Sequence, residues 1–192
     1  MTRLDFTITF HTPFRVARGQ GGGGAHDTVE RDRLPATSLA GVMRATAKTL
    51  LGSEHQVISS VFGSDSQPSP WRWSAARPVP LGDGVPAERP TGRWQQTTPA
   101  ARVRIDQDTG TAQDQMLVLA NHTGAEQATF SITKFRRLAA DDLEKHKAVL
   151  KVVAQATRSI GAWRRRGFGW VGIRCEEEVE EHTVRTFLEL KR

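Results

Sequence analysis

The densest chemistry in the chain lies between Ser159 and Gly172, in SIGAWRRRGFGWVG. Three consecutive arginines, Arg164, Arg165 and Arg166, stand beside Trp163, Phe168 and Trp170 and among Gly161, Gly167 and Gly169. Guanidinium groups bind phosphates through a planar, permanently charged fork. Aromatic rings offer faces to unpaired bases, whatever their identity. Glycines permit close backbone approach and positive φ. Together these groups suit single-stranded nucleic acid. In another setting they would make only a solvated surface turn, so the rest of the chain has to decide. Trp163 is the better stacking candidate. Phe168 either stacks or enters the core, and Trp170 is expected to pack in the sheet.

The balance of charge agrees with a polyanionic partner. Lys plus Arg total 27 against 21 for Asp plus Glu, a net charge of +6. Such a balance favours nucleic acid without identifying it. The single cysteine, Cys175, excludes an internal disulfide framework and fits a reducing cytoplasm. Its expected role is that of a strand residue rather than a nucleophile. The six histidines, His11, His26, His55, His122, His146 and His182, have no zinc-type spacing. Walker loops, nucleophile elbows and dinucleotide fingerprints are absent from the sequence. No apolar run approaches the ~18 residues that span a membrane, and MTRLDFTITF alternates too regularly for a signal peptide. The sequence predicts a cytoplasmic protein of one domain, residues 1–192, with no membrane partner.

The elements that must position the loop can be read from periodicity. Leu4, Phe6, Ile8 and Phe10 alternate with polar residues and mark a half-buried strand. A glycine-rich loop, Ala17–Asp27, follows. Pro35 is extended, Thr37 or Ser38 can cap a helix, and Leu39, Val42, Met43, Ala47, Leu50 and Leu51 form its apolar face up to Gly52. Val57, Ile58, Val61 and Phe62 form a second short apolar set. Residues 64–100 hold seven of the nine prolines, with Trp71, Trp73 and Trp94, and read as an insertion lying against a partner. A short alternating strand and an Asp-Thr-Gly turn occupy 101–112, and two strands follow, joined around Thr123-Gly124. DDLEKHKAVLKVVAQATRSI predicts a second amphipathic helix, with Leu143, Leu150, Val153 and Ala154 on its apolar face. Phe168–Cys175 and Val184–Leu190 are expected to be closing strands. The resulting order predicts an α+β, ferredoxin-like (RRM-related) βαββαβ core, with a thumb-like hairpin and the long Pro/Trp-rich insertion. Helices on one face of such a sheet leave the other open to RNA.

Four segments, in order, carry a family resemblance. LPATSLAGVMR resembles the PGSSLKGxxR element of the RAMP superfamily, the RNA-binding proteins of CRISPR systems. FGS at Phe62–Ser64 resembles the FGS that follows the first helices there. RVRIDQDTGTA resembles the RxxIDRxTGxA segment of type III effector backbone subunits, and SIGAWRRRGFGWV is similar to their LGGxxSRGxGxV loop. The resemblance implies a protein that polymerises along a guide RNA, with other copies of itself and other type III effector subunits as neighbours. It implies guide contacts at the helix start and the glycine-rich loop (here Ser38, Arg44 and residues 161–169). It also implies a thumb that pushes between bases, for which Trp94, Val103, Ile105 and Met116 are candidate wedges and Arg104 a flanking contact. In catalytic members an aspartate before the helix supports metal-dependent cleavage of bound target RNA. Asp27 stands at that place and Asp32 matches a later structural aspartate. The cofactor so implied is a divalent cation, Mg²⁺, sharing its ligands between carboxylate, water and phosphate. Whether water or the RNA 2′-hydroxyl attacks is left open, and His26 is adjacent as a candidate acid or base.

The match is incomplete. Ala40 replaces the lysine of SLKG, Gln107 the arginine of IDRxTG, and Arg15 stands where a histidine is common. Arg15, Arg18 and the Arg164–Arg166 run are the expected replacements for lost phosphate contacts. Three functional readings therefore stand side by side. The first is a guide-binding backbone subunit that cleaves target RNA through Asp27. The second is a non-catalytic scaffold of the same complexes. The third is a metal-independent guide-processing nuclease.

Overall fold

The computed structural model describes residues 2–17, 33–79 and 93–191. Arg18, His26, Asp27 and Asp32 lie outside the described residues, as do Pro80, Pro86 and Pro90.

Strand β1, Arg3–Phe10, follows the predicted alternation: Leu4, Phe6 and Ile8 are fully buried while Asp5, Thr7 and Thr9 face the other way. Helix α1, Ala36–Leu51, buries Leu39, Met43 and Ala47, and Gly52 ends it. Neither Thr37 nor Ser38 caps it. Pro35 is the N-cap, without a side-chain hydrogen bond, and its carbonyl accepts from the Ser38 and Leu39 N–H groups. Proline supplies the extended φ that the cap position needs and has no N–H to satisfy. Helix α2, Gln56–Phe62, buries Val57, Ile58 and Val61, with the His55 ring accepting from the Val57 N–H.

The proline-tryptophan stretch corrects one expectation. Its first half supplies strands β2, Trp71–Trp73, and β3, Arg77–Pro78, which pair in succession with the same partner, β6, Gln127–Lys134. They are one sheet edge broken at Ser74, whose hydroxyl accepts from the Ser131 N–H at 2.9 Å. An edge is the place where a strand tolerates Pro78. Residues 71–79 are therefore part of the core sheet rather than of an insertion.

Strand β4, Thr98–Arg102, pairs only with β5, Val118–His122, in a separate antiparallel hairpin, the thumb. Helix α3, Ala140–Ala156, carries the predicted Leu150, Val153 and Ala154 into the core, with Leu143 partly buried. Strand β7, Val171–Cys175, closes the sheet on the far side of β1. The order is β2/β3–β6–β1–β7, antiparallel throughout. Counting the broken edge as one strand, this is the ferredoxin-like split βαβ arrangement. Phe6 and Phe130 stack across β1 and β6 at 5.0 Å, at the centre of the core.

The last element is also a correction. Val184–Leu190 is not a strand but part of helix α4, Glu181–Leu190, which packs on α3 and buries Phe187. Phe187 and Leu190 satisfy a helical face as well as Val184, Leu188 and Leu190 satisfy alternation, and packing of that face decides between the two periods, leaving Val184 and Leu188 exposed. No helix among the described residues is long and apolar enough to cross a membrane.

Candidate nucleic-acid interface

Three segments meet at the end of the sheet where β1 finishes and β7 begins. The first is 13–16, the turn out of β1. The second is the base of the thumb. The third is the glycine-arginine loop between α3 and β7. Backbone bonds knit them together. The Phe14 N–H and carbonyl exchange bonds with Thr123 at 2.8 and 2.9 Å, the Gly169 N–H donates to the Pro13 carbonyl at 2.7 Å, and Ala162 donates to Arg15 at 2.8 Å. Thr123 Oγ1 donates to the Gln95 carbonyl at 2.7 Å, tying in the segment before the thumb.

Two glycines make this closeness possible. Gly161 and Gly169 both have φ of +73°. A Cβ on Gly161 would collide with the Arg15 carbonyl, and one on Gly169 with the Ile160 carbonyl. These two positions of the sequence pattern serve backbone packing within the protein. Gly167 ends the single 3₁₀ turn formed by Arg164–Arg166, which leaves all three arginine side chains exposed.

Trp163 is the centre of the site. The Arg15 guanidinium lies 4.5 Å from its ring centroid and that of Arg102, from β4, 4.7 Å. Contacts of this kind contribute ~0.5–2 kcal/mol each, more when desolvated. Phe168 meets Trp163 edge-on at 5.7 Å and His122, from β5, at 5.3 Å. Phe168 thus joins the loop to the thumb. Burial pushes the His122 pKa below its ordinary value, and its Nδ1 is enclosed without a hydrogen-bond partner.

Beside this aromatic hub lies a groove of about 670 Å³ lined by Arg102, Ser159, Trp163, Arg164, Arg165 and Arg166. Among the described residues its lining holds four arginines and no acid. That arrangement can hold a phosphodiester backbone with an aromatic edge alongside it. The family model of the RAMP superfamily matches residues 7–172. The chain belongs to the RAMP superfamily. It is similar in fold to a chain of the type III-B Cmr-beta bound to cognate target RNA, with 18% identity and a TM-score of 0.64 over 91% of this chain and 60% of that one. A chain of the Cmr-beta apo state matches at 12% identity and a TM-score of 0.63, over 93% of this chain and 98% of that one. No curated protein sequence matches. The chain thus spans well under two thirds of the first of these structural relatives and nearly the whole of the second.

In this RAMP chain the groove unites Trp163 with Arg164, Arg165 and Arg166, while Gly161, Gly167, Phe168 and Gly169 shape it. Arg15 belongs to the hub but is 3% exposed, so it supports Trp163 from beneath instead of reaching for phosphate. Ser38 and Arg44 lie on α1 and do not line the groove. Arg44 is half-buried, with Nε enclosed and unpartnered. Arg104, Ile105 and Met116 sit on the distal thumb, where Val103, Ile105, Met116, Leu117 and Val118 form an exposed apolar set. Trp94 is not part of that tip. It packs edge-on against Phe10 and Phe14 at 5.9 and 5.4 Å, which removes it as a wedge.

The motif IDQDTG has a structural cause. Asp106 Oδ1 accepts from the Asp108 and Thr109 N–H groups and from the Thr109 hydroxyl, and these bonds hold its pKa below the ordinary carboxylate value. The motif closes the turn of the thumb. Arg102 and His122 were not singled out by the sequence as partners of Trp163, because only tertiary pairing of β4 with β5 brings them there. Trp170, expected in the sheet interior, is instead 57% exposed. Among the described residues no group of three or more His, Cys, Asp or Glu could hold a metal ion. Burial raises the Cys175 thiol pKa, in keeping with an inert strand residue.

Proposed function

We propose that this RAMP chain is a guide-RNA-binding backbone subunit of a type III CRISPR effector complex. The observation that carries the proposal is the groove of Arg102 and Arg164–Arg166 around Trp163, at the joint of loop and thumb. The similarity to chains of Cmr-beta supports the type of complex. In this reading the arginines hold the guide backbone and the apolar thumb tip enters between bases or against the next subunit. The proposed partners are guide RNA, complementary target RNA, further copies of this chain and other type III subunits.

Target cleavage is the second part of the proposal. It rests on Asp27, whose place in the sequence resembles that of the catalytic aspartate in cleaving members. The described residues supply no metal cage, so a divalent ion such as Mg²⁺ would depend on Asp27 and RNA phosphates, where it would stabilise developing charge.

The test is to purify the chain from its native host at low salt and sequence the RNA that accompanies it. Short RNAs with a common repeat-derived end and a variable remainder are expected. A chain that carries no RNA and binds none when RNA is added would overturn the proposal. In the assembled complex, Asp27→Ala should abolish target cleavage without loss of guide. Cleavage that survives the substitution would remove the catalytic part and leave a scaffold.

A further inference from the structure

Among the described residues, Trp170 is the most exposed large hydrophobic side chain, at 57%. Its backbone is nevertheless fixed. The Trp170 carbonyl accepts from the His11 N–H at 2.9 Å, its N–H donates to Thr12 Oγ1 at 2.9 Å, and it bridges to Ser159. The His11 ring lies 4.7 Å from the indole, tilted by 43°. With its backbone fixed and the His11 ring beside it, the exposed indole presents an aromatic face to a planar partner from a defined place on the sheet.

Its surroundings specify the partner. On β7, Val171 and Ile173 point into the core, so Trp170, Gly172 and Arg174 share the open face. The register places Thr9 opposite Gly172 and Thr7 opposite Arg174, which sets His11 opposite Trp170. Gly172 has no side chain and leaves a notch between the indole and Arg174, with His11 Nε2 3.6 Å from where a Cβ would stand. The notch opens into a cavity of about 800 Å³ lined in part by Thr9, His11, Arg158 and Arg174, with Glu178 the one acid among its described lining residues. A protein-docking face would continue the apolar surface. This one continues as a mixed lining, in which threonines, Gln127, Gln155 and two arginines stand beside Ile173, Cys175 and Val179. Arg158 lines this cavity and Ser159, its neighbour in sequence, lines the arginine groove, so the two concavities flank a single extended segment.

We propose that His11 and Trp170 form a stacking platform for one unpaired base of a single-stranded RNA, with Arg158 and Arg174 taking the adjoining phosphates across the Gly172 notch. The site deepens the RNA-binding reading and rests on it: the same strand passes from the arginine groove over Ser159 and Trp170 onto the open face of the sheet. Recognition by stacking tolerates any base.

The test uses the full chain and a short fluorescein-labelled single-stranded RNA of mixed sequence, titrated over a range of salt. Trp170→Ala should weaken binding about ten-fold with an unchanged salt slope, because no charge is lost. Trp170→Phe, which keeps an aromatic face, should recover most of the affinity. A combined Arg164→Ala, Arg165→Ala and Arg166→Ala chain serves as the reference for the groove. If that chain loses affinity while Trp170→Ala binds like the parent, the platform is overturned and the groove stands. If both variants bind like the parent, the RNA-binding reading itself falls. Should Trp170→Ala melt at lower temperature, Trp170→Phe against Trp170→Leu decides, since only the aromatic side chain should bind well. Equal affinity of those two variants also overturns the platform.

Discussion

The glycine-arginine loop and the thumb are both excursions from one sheet, and they are built in opposite ways. The loop is charged outside and tied down inside: its backbone donates to Pro13 and Arg15, two of its glycines have no room for a Cβ, and Trp163 rests on Arg15. The thumb carries an exposed apolar set away from its base and is tied at that base through Thr123 and the contacts of Arg102 and His122 with the loop. A fixed charged seat suits the uniform phosphate backbone, which each subunit would meet in the same geometry. A projecting apolar tip suits a partner that must be pushed apart or covered.

The strongest way to break this contrast is to disturb the loop's packing. Gly161→Ala or Gly169→Ala places a methyl group against a backbone oxygen at positive φ, and neither carbonyl can yield without moving its segment. A stability loss on the order of 3 kcal/mol is expected in denaturant titration. Wild-type stability in both variants would mean that the loop is not a rigid seat. Next in size, Trp163→Ala removes the ring shared by Arg15, Arg102 and Phe168. RNA affinity should fall about ten-fold or more at constant salt, with a modest drop in melting temperature. Affinity equal to that of the parent chain would remove Trp163 from the interface.

A smaller effect belongs to the core that supports both regions. His146 is buried; its Nδ1 accepts from the Trp71 indole N–H at 3.1 Å and its Nε2 lies 3.1 Å from the Ser60 hydroxyl. Desolvation pushes its pKa below the ordinary 6.5, against a weaker opposing pull from Asp142. The unfolded chain therefore binds a proton near pH 6.5 that the folded chain refuses. Stability should be level above about pH 6.5 and fall as pH drops below it toward the depressed folded value. His146→Asn keeps a neutral acceptor, so thermal melts of that variant should show a shallower fall. An unchanged profile would assign the acid sensitivity elsewhere, with His122 at the thumb joint as the next group to replace.

Much of this architecture was legible because periodicity and punctuation agreed. Leu4, Phe6 and Ile8 could only be a half-buried strand, and Gly52 stops its helix where expected. The failures share a physical cause. Trp71–Trp73 looked like part of a proline-rich insertion because pairing with β6 is a long-range fact, and Pro78 is tolerated only because that strand lies at an edge. Val184–Leu190 carries both periods, and α3 chooses the helical one. At the candidate site, the arginine run and Trp163 were visible, but the tryptophans exchanged roles. Trp94 faces Phe10 and Phe14 and is core, whereas Trp170 has the parity of Gly172 and Arg174 and is exposed. Strand parity within the expected Phe168–Cys175 strand already carries the second result, since Val171 and Ile173 are the inward positions.

The smallest effect on the isolated chain, and the one that sharpens the contrast most, is expected at the thumb tip. Ile105 and Met116 are 54% and 43% exposed, so replacing both with serine removes little buried surface. Stability should stay within about 0.5 kcal/mol of the parent. Affinity for a short RNA that fills only the arginine groove should also stay unchanged, since neither residue lines it. What should change is occupancy of a long RNA by several copies, because the exposed apolar tip is then the part that must find a neighbour or a base step. Analytical ultracentrifugation on long and short RNAs separates the two cases. Equal loading of the parent and the double variant on long RNA would leave the tip without a role in assembly and would place the spacing of copies in the loop. Weaker binding of the short RNA would show instead that thumb and loop are not independent, and that the joint through Phe168 and His122 transmits the state of one to the other.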